Sequence, residues 1–153
     1  MIKKIIIVLL FILLIIVSYF VYAVFINPVS PKGESSIVAN DIELKVSYYR
    51  PYKKNRLIFG EKKDSALVPF NEYWRLGANF ATELSSNKSI SFSEKDLSAG
   101  SYRMYAIPSS ESWEVVLNSE AGAFGFNPPD KSNDILSVTV PVQRMDEPLE
   151  QFT

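Results

Sequence analysis

The chain has 153 residues, of which 47% are hydrophobic and 22% charged, with no His and no Cys. The lack of His excludes triads that use an imidazole base, and the lack of Cys excludes disulfides, thiolate nucleophiles and zinc–thiolate sites. A net charge of −1 gives no support for binding nucleic acid through bulk positive charge. Calcium-loop spacing and a phosphate-cradling glycine loop are both missing, so we expect no metal and no cofactor.

An almost wholly apolar stretch occupies residues 5–26, where Ser18 is the one residue that is neither apolar nor Tyr. At a rise of about 1.5 Å per residue the stretch would extend about 33 Å, enough to cross a hydrocarbon core of about 30 Å. We therefore predict a transmembrane signal anchor at residues 1–26 that contacts the lipid bilayer through residues 5–26. Because Lys3 and Lys4 precede the stretch, we expect a single-pass protein of the cell membrane with a cytoplasmic N-terminus and a periplasmic body.

A cleaved signal peptide is the alternative for this stretch, since Val21, Tyr22 and Ala23 form a passable cleavage site. The apolar part of a signal peptide usually has about 7–15 residues, fewer than are found here, so we favour the uncleaved anchor. A core helix of a soluble domain is disfavoured because the stretch is apolar on every face.

Two further segments are predicted after the anchor. Residues 27–36 include Pro28, Pro31 and Gly33, which is typical of a short, partly stiff stalk. Residues 37–153 remain as one domain that is long enough to bury its own core. Because this domain has no Cys, packing alone has to hold it together.

Strand patterns dominate the domain. Apolar and polar side chains alternate in residues 42–48, and the same period recurs later, over residues 102–107, 113–118 and 136–140. A turn at residues 86–88 predicts a hairpin between residues 82–85 and 89–92. A short helix is suggested only at residues 73–80. We predict a mostly β fold, an antiparallel β-sandwich or open barrel.

Aromatic and basic side chains are densest between residues 48 and 79. Guanidinium groups present a planar fork that suits carboxylates and phosphates, and aromatic faces accept sugars or cations. This chemistry predicts a cleft for a carbohydrate or an anionic ligand, with six candidate ligand-binding residues: Tyr49, Arg50, Arg56, Trp74, Arg75 and Asn79. The competing interpretation is that the rings pack in the core and the arginines pair with nearby acids.

Carboxylates beside the predicted turns raise a second hypothesis, a hydrolase that works without His. Glycoside hydrolysis needs two carboxyl groups about 5 to 9.5 Å apart, a spacing that no sequence pattern establishes here. The acids concerned, which usually cap turns or face solvent in such positions, are Glu83, Glu94, Asp96 and Asp134. We assign no catalytic residue and favour a protein that is not an enzyme.

Several short sequence motifs occur in this order along the domain: Tyr49-Arg50-Pro51, Ile58-Phe59-Gly60, Leu67-Val68-Pro69-Phe70, Trp74-Arg75, Gly77-Ala78-Asn79, Ala99-Gly100, Ile107-Pro108 and Asp134-Ile135-Leu136. Together they resemble the core signature of the bacterial domain of unknown function 2911 family, over residues 42–152. The resemblance implies an extracytoplasmic, mostly β domain, usually behind a signal sequence. It implies no reaction and no catalytic residue.

Two departures from that family pattern bear on the interpretation. Phe80 stands where the family often has an acidic residue, which weakens the hydrolase hypothesis. The family pattern also continues beyond Thr153, so we expect the last C-terminal strands of the domain to be missing from this sequence. A sheet edge would then be left unpaired.

These features predict a membrane-anchored, extracytoplasmic binding or interaction module of the cell envelope. Its expected partners are the lipid bilayer and a carbohydrate or anionic ligand, and not nucleic acid. The alternative is a His-independent hydrolase acting on envelope carbohydrate or another anionic substrate. The predicted ligand cleft requires Arg50 and Arg75 to point into the same space. The hydrolase requires two acids, or an acid and a Tyr, to converge in one pocket beside Arg75.

Overall fold

The computed structural model describes residues 2–153, which form two compact units. The first unit ends at Pro31, and the second is Lys32–Thr153.

The first unit is a single apolar helix. Helix α1 is Ile2–Val21, and it passes into a π-helical turn at Tyr22–Ile26. No Gly or Pro interrupts these residues, and Pro28 follows closely, where a continuing helix is disfavoured. The 25-residue helical stretch has a mean hydropathy of 3.2, and none of it is buried. It is therefore long and apolar enough to be a membrane anchor or a signal sequence, as the sequence predicts.

The second unit is built from short strands. The structure describes ten of them: β1 (Lys32–Ala39), β2 (Ile42–Tyr49), β3 (Phe59–Gly60), β4 (Val68–Pro69), β5 (Thr82–Ser86), β6 (Ile90–Phe92), β7 (Lys95–Leu97), β8 (Gly100–Pro108), β9 (Ser112–Asn118) and β10 (Asp134–Pro141). Two 3₁₀ turns, Lys62–Asp64 and Lys131–Asn133, lie between strands.

Six of the strands form one antiparallel sheet in the order β1-β2-β5-β8-β9-β10. A parallel pair, β3-β4, and an antiparallel pair, β6-β7, form two small separate sheets. The predicted fold, a mostly β and antiparallel domain behind an apolar N-terminal helix, is confirmed.

One side of the six-stranded sheet, which we call the core face, carries the hydrophobic core. Hairpin β8-β9 places Met104 opposite Leu117 and Ala106 opposite Val115, as the alternating pattern predicts. The β6-β7 pair packs Leu97 against one end of this face, and β3-β4 packs Val68 against the other. Because alternate residues of a strand point to opposite sides, every second residue lies on the other side, the outer face.

Three local predictions are wrong. Residues 32–36, assigned to the stalk, belong to β1 and pair with β2. Residues 73–80 are not helical, because Leu76 and Asn79 have positive φ angles of 56° and 55°, far from helical values. The strands around residues 86–88 do not form a hairpin: β5 pairs with β2 and β8, whereas β6 pairs with β7.

Candidate functional site

The six predicted ligand-binding residues do not share one cleft, and the prediction that Arg50 and Arg75 point into the same cleft is wrong, because Arg50 contacts Phe152 and Arg75 contacts Phe126. Trp74 is only 9% exposed and belongs to the core. Its ring contacts three other aromatic rings at centroid distances of 5.0 to 5.5 Å: Phe59, Trp113 and Phe152. For Trp74 the competing interpretation, a core residue, is the one that the structure supports.

Arg50 and Arg56 bind main-chain oxygens of the protein itself. Arg50 Nε donates to the oxygen of Phe152 at 3.0 Å. Arg56 donates from Nε to the oxygen of Lys53 and from Nη2 to the oxygen of Tyr52, which closes its own exposed loop. These two arginines therefore fix local structure near the core face.

Tyr49, Arg75 and Asn79 lie together on the outer face. Trp74 forms an antiparallel bridge with Ala106 of β8, so Arg75, the next residue, points away from the core face. The Tyr49 ring lies 5.8 Å from the Phe80 ring, and the main-chain oxygen of Asn79 accepts a hydrogen bond from Gly125 N at 3.1 Å. Half of the predicted candidates are thus neighbours in the folded chain.

Three phenylalanines complete this group. Phe80 packs edge-on against Phe124 at 5.1 Å, and the guanidinium carbon of Arg75 lies 5.9 Å from the centre of the Phe126 ring. Phe124 is 53% exposed and Phe126 71%. We call this set, which consists of Tyr49, Arg75, Phe80, Phe124 and Phe126, the aromatic–basic surface.

Close backbone approaches fix the shape of this surface. Gly77 has a φ of 141°, and a Cβ at this position would lie 2.5 Å from the main-chain oxygen of Tyr49. A Cβ at Gly125 would lie 3.0 Å from Cδ of Arg75. Leu76 holds a left-handed conformation that is costly for a bulky side chain, and its burial in the core keeps it there.

Phe124 and Phe126 are carried by residues 119–130, which we call the aromatic loop. Its backbone pairs with the segment that follows the bridge at Trp74: Ala81 N donates to Ala123 O at 3.2 Å. The Tyr73 hydroxyl donates to the oxygen of Gly125 at 3.2 Å. The loop is therefore held at several points along its length.

A row of polar residues crosses the outer face beneath this loop. Successive strands pair the residues of the row directly, in the order Ser47, Glu83, Arg103, Asn118 and Asp134. We call these five residues the polar row. Glu83 accepts a hydrogen bond from Gly122 N, and Asn118 Nδ2 donates to Asp130 O at 2.8 Å. The polar row thus binds the backbone of the aromatic loop at both ends.

Arg103 is the centre of the polar row. It is only 2% exposed. Its Nη2 donates to the Tyr73 hydroxyl at 2.7 Å and to the main-chain oxygen of Asn127, and its Nη1 lies 3.8 Å from Glu120. Its buried Nε has no hydrogen-bond partner among the described residues. A buried guanidinium with these contacts ties the strand to the loop.

Tyr105 and Asp134 form a second polar pair on the same face. The Tyr105 hydroxyl donates to Asp134 Oδ2 at 2.9 Å, and Asn118 Nδ2 donates to Asp134 Oδ1 at 2.8 Å. Burial, and then the hydrogen bond and the charge of Asp134, raise the pKa of the Tyr105 hydroxyl above its ordinary 10. This hydroxyl is therefore a hydrogen-bond donor, and it is a poor nucleophile at neutral pH.

The carboxylates named in the hydrolase hypothesis are distributed over two sheets and a turn. Glu83 and Asp134 are separated by three steps between paired strands, about 14 Å at about 4.8 Å per step. Glycoside hydrolysis needs about 5 to 9.5 Å. Asp96 belongs to β7, in a different sheet, and Glu94 lies in the exposed β6-β7 turn.

Sequence reasoning missed most of the aromatic–basic surface. Phe124 and Phe126 follow no strand or helix period, so their exposure could not be predicted from alternation. The available signal is compositional: two phenylalanines flank a glycine in a segment bounded by Gly122 and Pro128. Arg103 lies within the alternating pattern of residues 102–107, but its burial depends on a loop that is distant in sequence.

An apolar N-terminal helix and an antiparallel β domain with an aromatic–basic outer face define the class of this protein, a β domain behind a membrane anchor or signal sequence. A family model described as "Protein of unknown function (DUF2911)" matches residues 30–153, and the chain belongs to that family. The match confirms the resemblance found in the sequence. No curated protein and no solved structure gives a match.

Proposed function

We propose that this protein is a membrane-anchored, extracytoplasmic binding module whose aromatic–basic surface binds an acidic carbohydrate. Arg75 would bind the carboxylate of the ligand, and the neighbouring rings would pack against its sugar rings.

The main support for the proposal is that the guanidinium group of Arg75 has no polar contact with the described residues. Its guanidinium stacks on Phe126 but forms no hydrogen bond or ion pair with any described residue. All five N–H donors thus remain available, in a planar fork that matches a carboxylate. Arg50, Arg56 and Arg103, by contrast, are all bound to protein oxygens.

The exposed rings supply the second part of the proposal. Phe124 and Phe126 present aromatic surface to solvent, and Tyr49 and Phe80 extend it. Contiguous exposed apolar surface is unusual on soluble domains and often marks an interaction site. An aromatic platform beside a free guanidinium favours a ligand that is both acidic and ring-shaped.

We propose the cellular location of the β domain from the apolar helix and the charges that flank it. The helix is long and apolar enough to span a bilayer, and Lys3 and Lys4 at its start favour a cytoplasmic N-terminus. The β domain would then face the cell envelope, where acidic polysaccharides are accessible to it.

The test is a thermal-unfolding comparison of the full chain in detergent with two matched sugars, trigalacturonate and its methyl ester. A ligand that binds only the folded state raises the unfolding temperature, and the rise grows with the logarithm of ligand concentration above the dissociation constant. We expect trigalacturonate at millimolar concentration to raise that temperature, and its uncharged ester to have little effect.

Two variants assign the effect to the site. Arg75→Ala should abolish the shift, whereas Arg144→Ala, which removes an exposed arginine from the segment after β10, should keep it. If trigalacturonate has no effect on the wild type, or if both variants retain the shift, the proposal is wrong.

A further inference from the structure

The start of strand β1 brings a further positive charge to the aromatic–basic surface. Lys32, the first residue of β1, pairs directly with Tyr49, the last residue of β2. Directly paired residues of antiparallel strands have their side chains on the same side of the sheet, so Lys32 lies on the outer face beside Tyr49. Lys32 is also exposed to solvent. A second cation therefore adjoins the surface on which Arg75 lies.

Lys32 differs from the other cations of the six-stranded sheet. These strands contain three basic residues, and strand register places all of them on the outer face: Lys32, Lys45 and Arg103. Lys45 Nζ lies 2.8 Å from Glu34, and Arg103 Nη1 lies 3.8 Å from Glu120. Lys32 makes no ion pair with any described residue. Its charge is therefore available to an anionic ligand.

The backbone that carries Lys32 is fixed in the sheet. A Cβ at the next residue, Gly33, would lie 2.7 Å from Cδ of Arg50, so the strand packs closely on that side chain. Arg50 is itself held, because its Nε donates to the oxygen of Phe152 at 3.0 Å. Pairing with β2 then continues without a shift of register to Ala39. A backbone that is fixed in this way needs little reorganisation when a ligand binds.

Aromatic rings connect Lys32 with Arg75 through a series of contacts. The Tyr49 ring, beside Lys32, lies 5.8 Å from the Phe80 ring, and the Phe80 ring lies 5.1 Å from the Phe124 ring. The residue after Phe124 is a glycine at which a Cβ would lie 3.0 Å from Cδ of Arg75. The contacts thus lead from one cation to the other across three rings.

We propose that Lys32 is a second acid-binding residue of the aromatic–basic surface, and that the surface selects linear oligouronates over single uronic acids. This inference rests on the proposed function, since Arg75 binds one carboxylate of the ligand and Lys32 binds another carboxylate of the same chain. The sugar rings between them pack against the aromatic rings. Once one carboxylate is bound, the second contact forms within the complex, so an oligosaccharide gains more affinity than a monosaccharide.

The experiment is calorimetric titration of the full chain in detergent, at neutral pH, with galacturonate and with trigalacturonate. Both ligands carry the same acid group, so their comparison measures what a longer chain adds. We expect trigalacturonate to bind the wild type at least about tenfold more tightly, because only the longer ligand reaches Lys32 as well as Arg75. Equal affinities for the two ligands would overturn the proposal.

Three lysine variants assign the gain to Lys32. Lys32→Gln should weaken trigalacturonate binding by about tenfold and leave galacturonate binding within about twofold, whereas Lys32→Arg, which keeps the charge, should bind trigalacturonate within about twofold of the wild type. Lys88→Gln is the control, because it removes an exposed lysine that follows the far end of β5, and it should also stay within about twofold.

The outcomes separate this inference from the proposed function. If Lys32→Gln binds trigalacturonate like the wild type while Arg75→Ala does not, Lys32 is not an acid-binding residue and the proposed function stands. If the wild type itself does not bind trigalacturonate, both proposals are wrong.

Discussion

Arg103 on strand β8 donates a hydrogen bond from Nη2 to the main-chain oxygen of Asn127 on the aromatic loop. The two residues are 24 apart in sequence, and the contact joins the middle of the six-stranded sheet to the segment that displays Phe124 and Phe126. The almost fully buried side chain of Arg103 therefore helps to hold the exposed aromatic loop in position. This contact connects the buried polar row to the loop that carries two residues of the aromatic–basic surface.

The first prediction concerns this contact. Arg103→Met should lower the free energy of unfolding by about 3 kcal/mol, because it removes the hydrogen bonds that a buried guanidinium donates to Tyr73 and Asn127. It should also speed hydrogen exchange at Gly122 and Gly125 in the loop. Arg144→Met, at an exposed position, should change stability by no more than about 0.5 kcal/mol. Unchanged exchange at both glycines in the Arg103 variant would show that the arginine does not hold the loop.

The second prediction concerns the turn beside Tyr49. Gly77→Ala should lower the free energy of unfolding by more than about 2 kcal/mol, since the new Cβ would meet the Tyr49 main-chain oxygen at 2.5 Å in a backbone conformation that favours glycine. Gly122→Ala is the control, because it shares a positive φ of 77° but meets nothing within 4 Å. Gly122→Ala should lower the free energy of unfolding by about 1 kcal/mol. If urea unfolding shows the same loss of unfolding free energy in both variants, the close contact between residue 77 and the Tyr49 oxygen does not determine stability.

The third prediction concerns alkaline stability. The pKa of Tyr105 is higher in the folded chain than the value of 10 expected for an unfolded one, so the folded state holds this proton more tightly. The resulting stabilisation is complete below about pH 10 and is lost as the pH rises from there toward the folded-state pKa. Tyr105→Phe should therefore be less stable than the wild type by about 1.5 kcal/mol at pH 7, with a smaller difference at pH 11. A constant difference across that range would contradict the assignment.

The fourth prediction concerns topology. The chain has no Cys, so a single introduced cysteine is its only thiol. Ser110→Cys, in the exposed turn between β8 and β9, should react with a membrane-impermeant maleimide in cells with a permeabilised outer membrane. Ile2→Cys, at the start of α1, should react only after lysis. The reverse labelling pattern would place the β domain in the cytoplasm.

Regular alternation made much of the fold predictable. The β8-β9 hairpin and β10 follow a period of two that no other local signal opposes, and α1 is apolar over its whole length. The helix predicted at residues 73–80 is wrong because their conformation is set by positive φ angles and by the burial of Leu76, neither of which leaves a helix or strand period.

The site was predictable only in part. Arg75 and Tyr49 could be predicted because guanidinium and aromatic groups cluster in sequence. The same cluster also contains Trp74, which packs in the core, and Arg50, which binds the main-chain oxygen of Phe152. Nothing in a local pattern distinguishes a free arginine from one that binds a carbonyl 102 residues away. That distinction depends on tertiary contacts, as does the meeting of Phe80 with Phe124.

The most direct test of the central claim is a double-mutant cycle on trigalacturonate affinity, with Arg75→Ala, Phe126→Ala and the double variant, measured by calorimetry on the full chain. If the stacked pair acts as one binding unit, each single variant should weaken binding by about tenfold or more, and the double variant should lose clearly less than the product of the two. If both single variants bind trigalacturonate as tightly as the wild type, the aromatic–basic surface is not the ligand site.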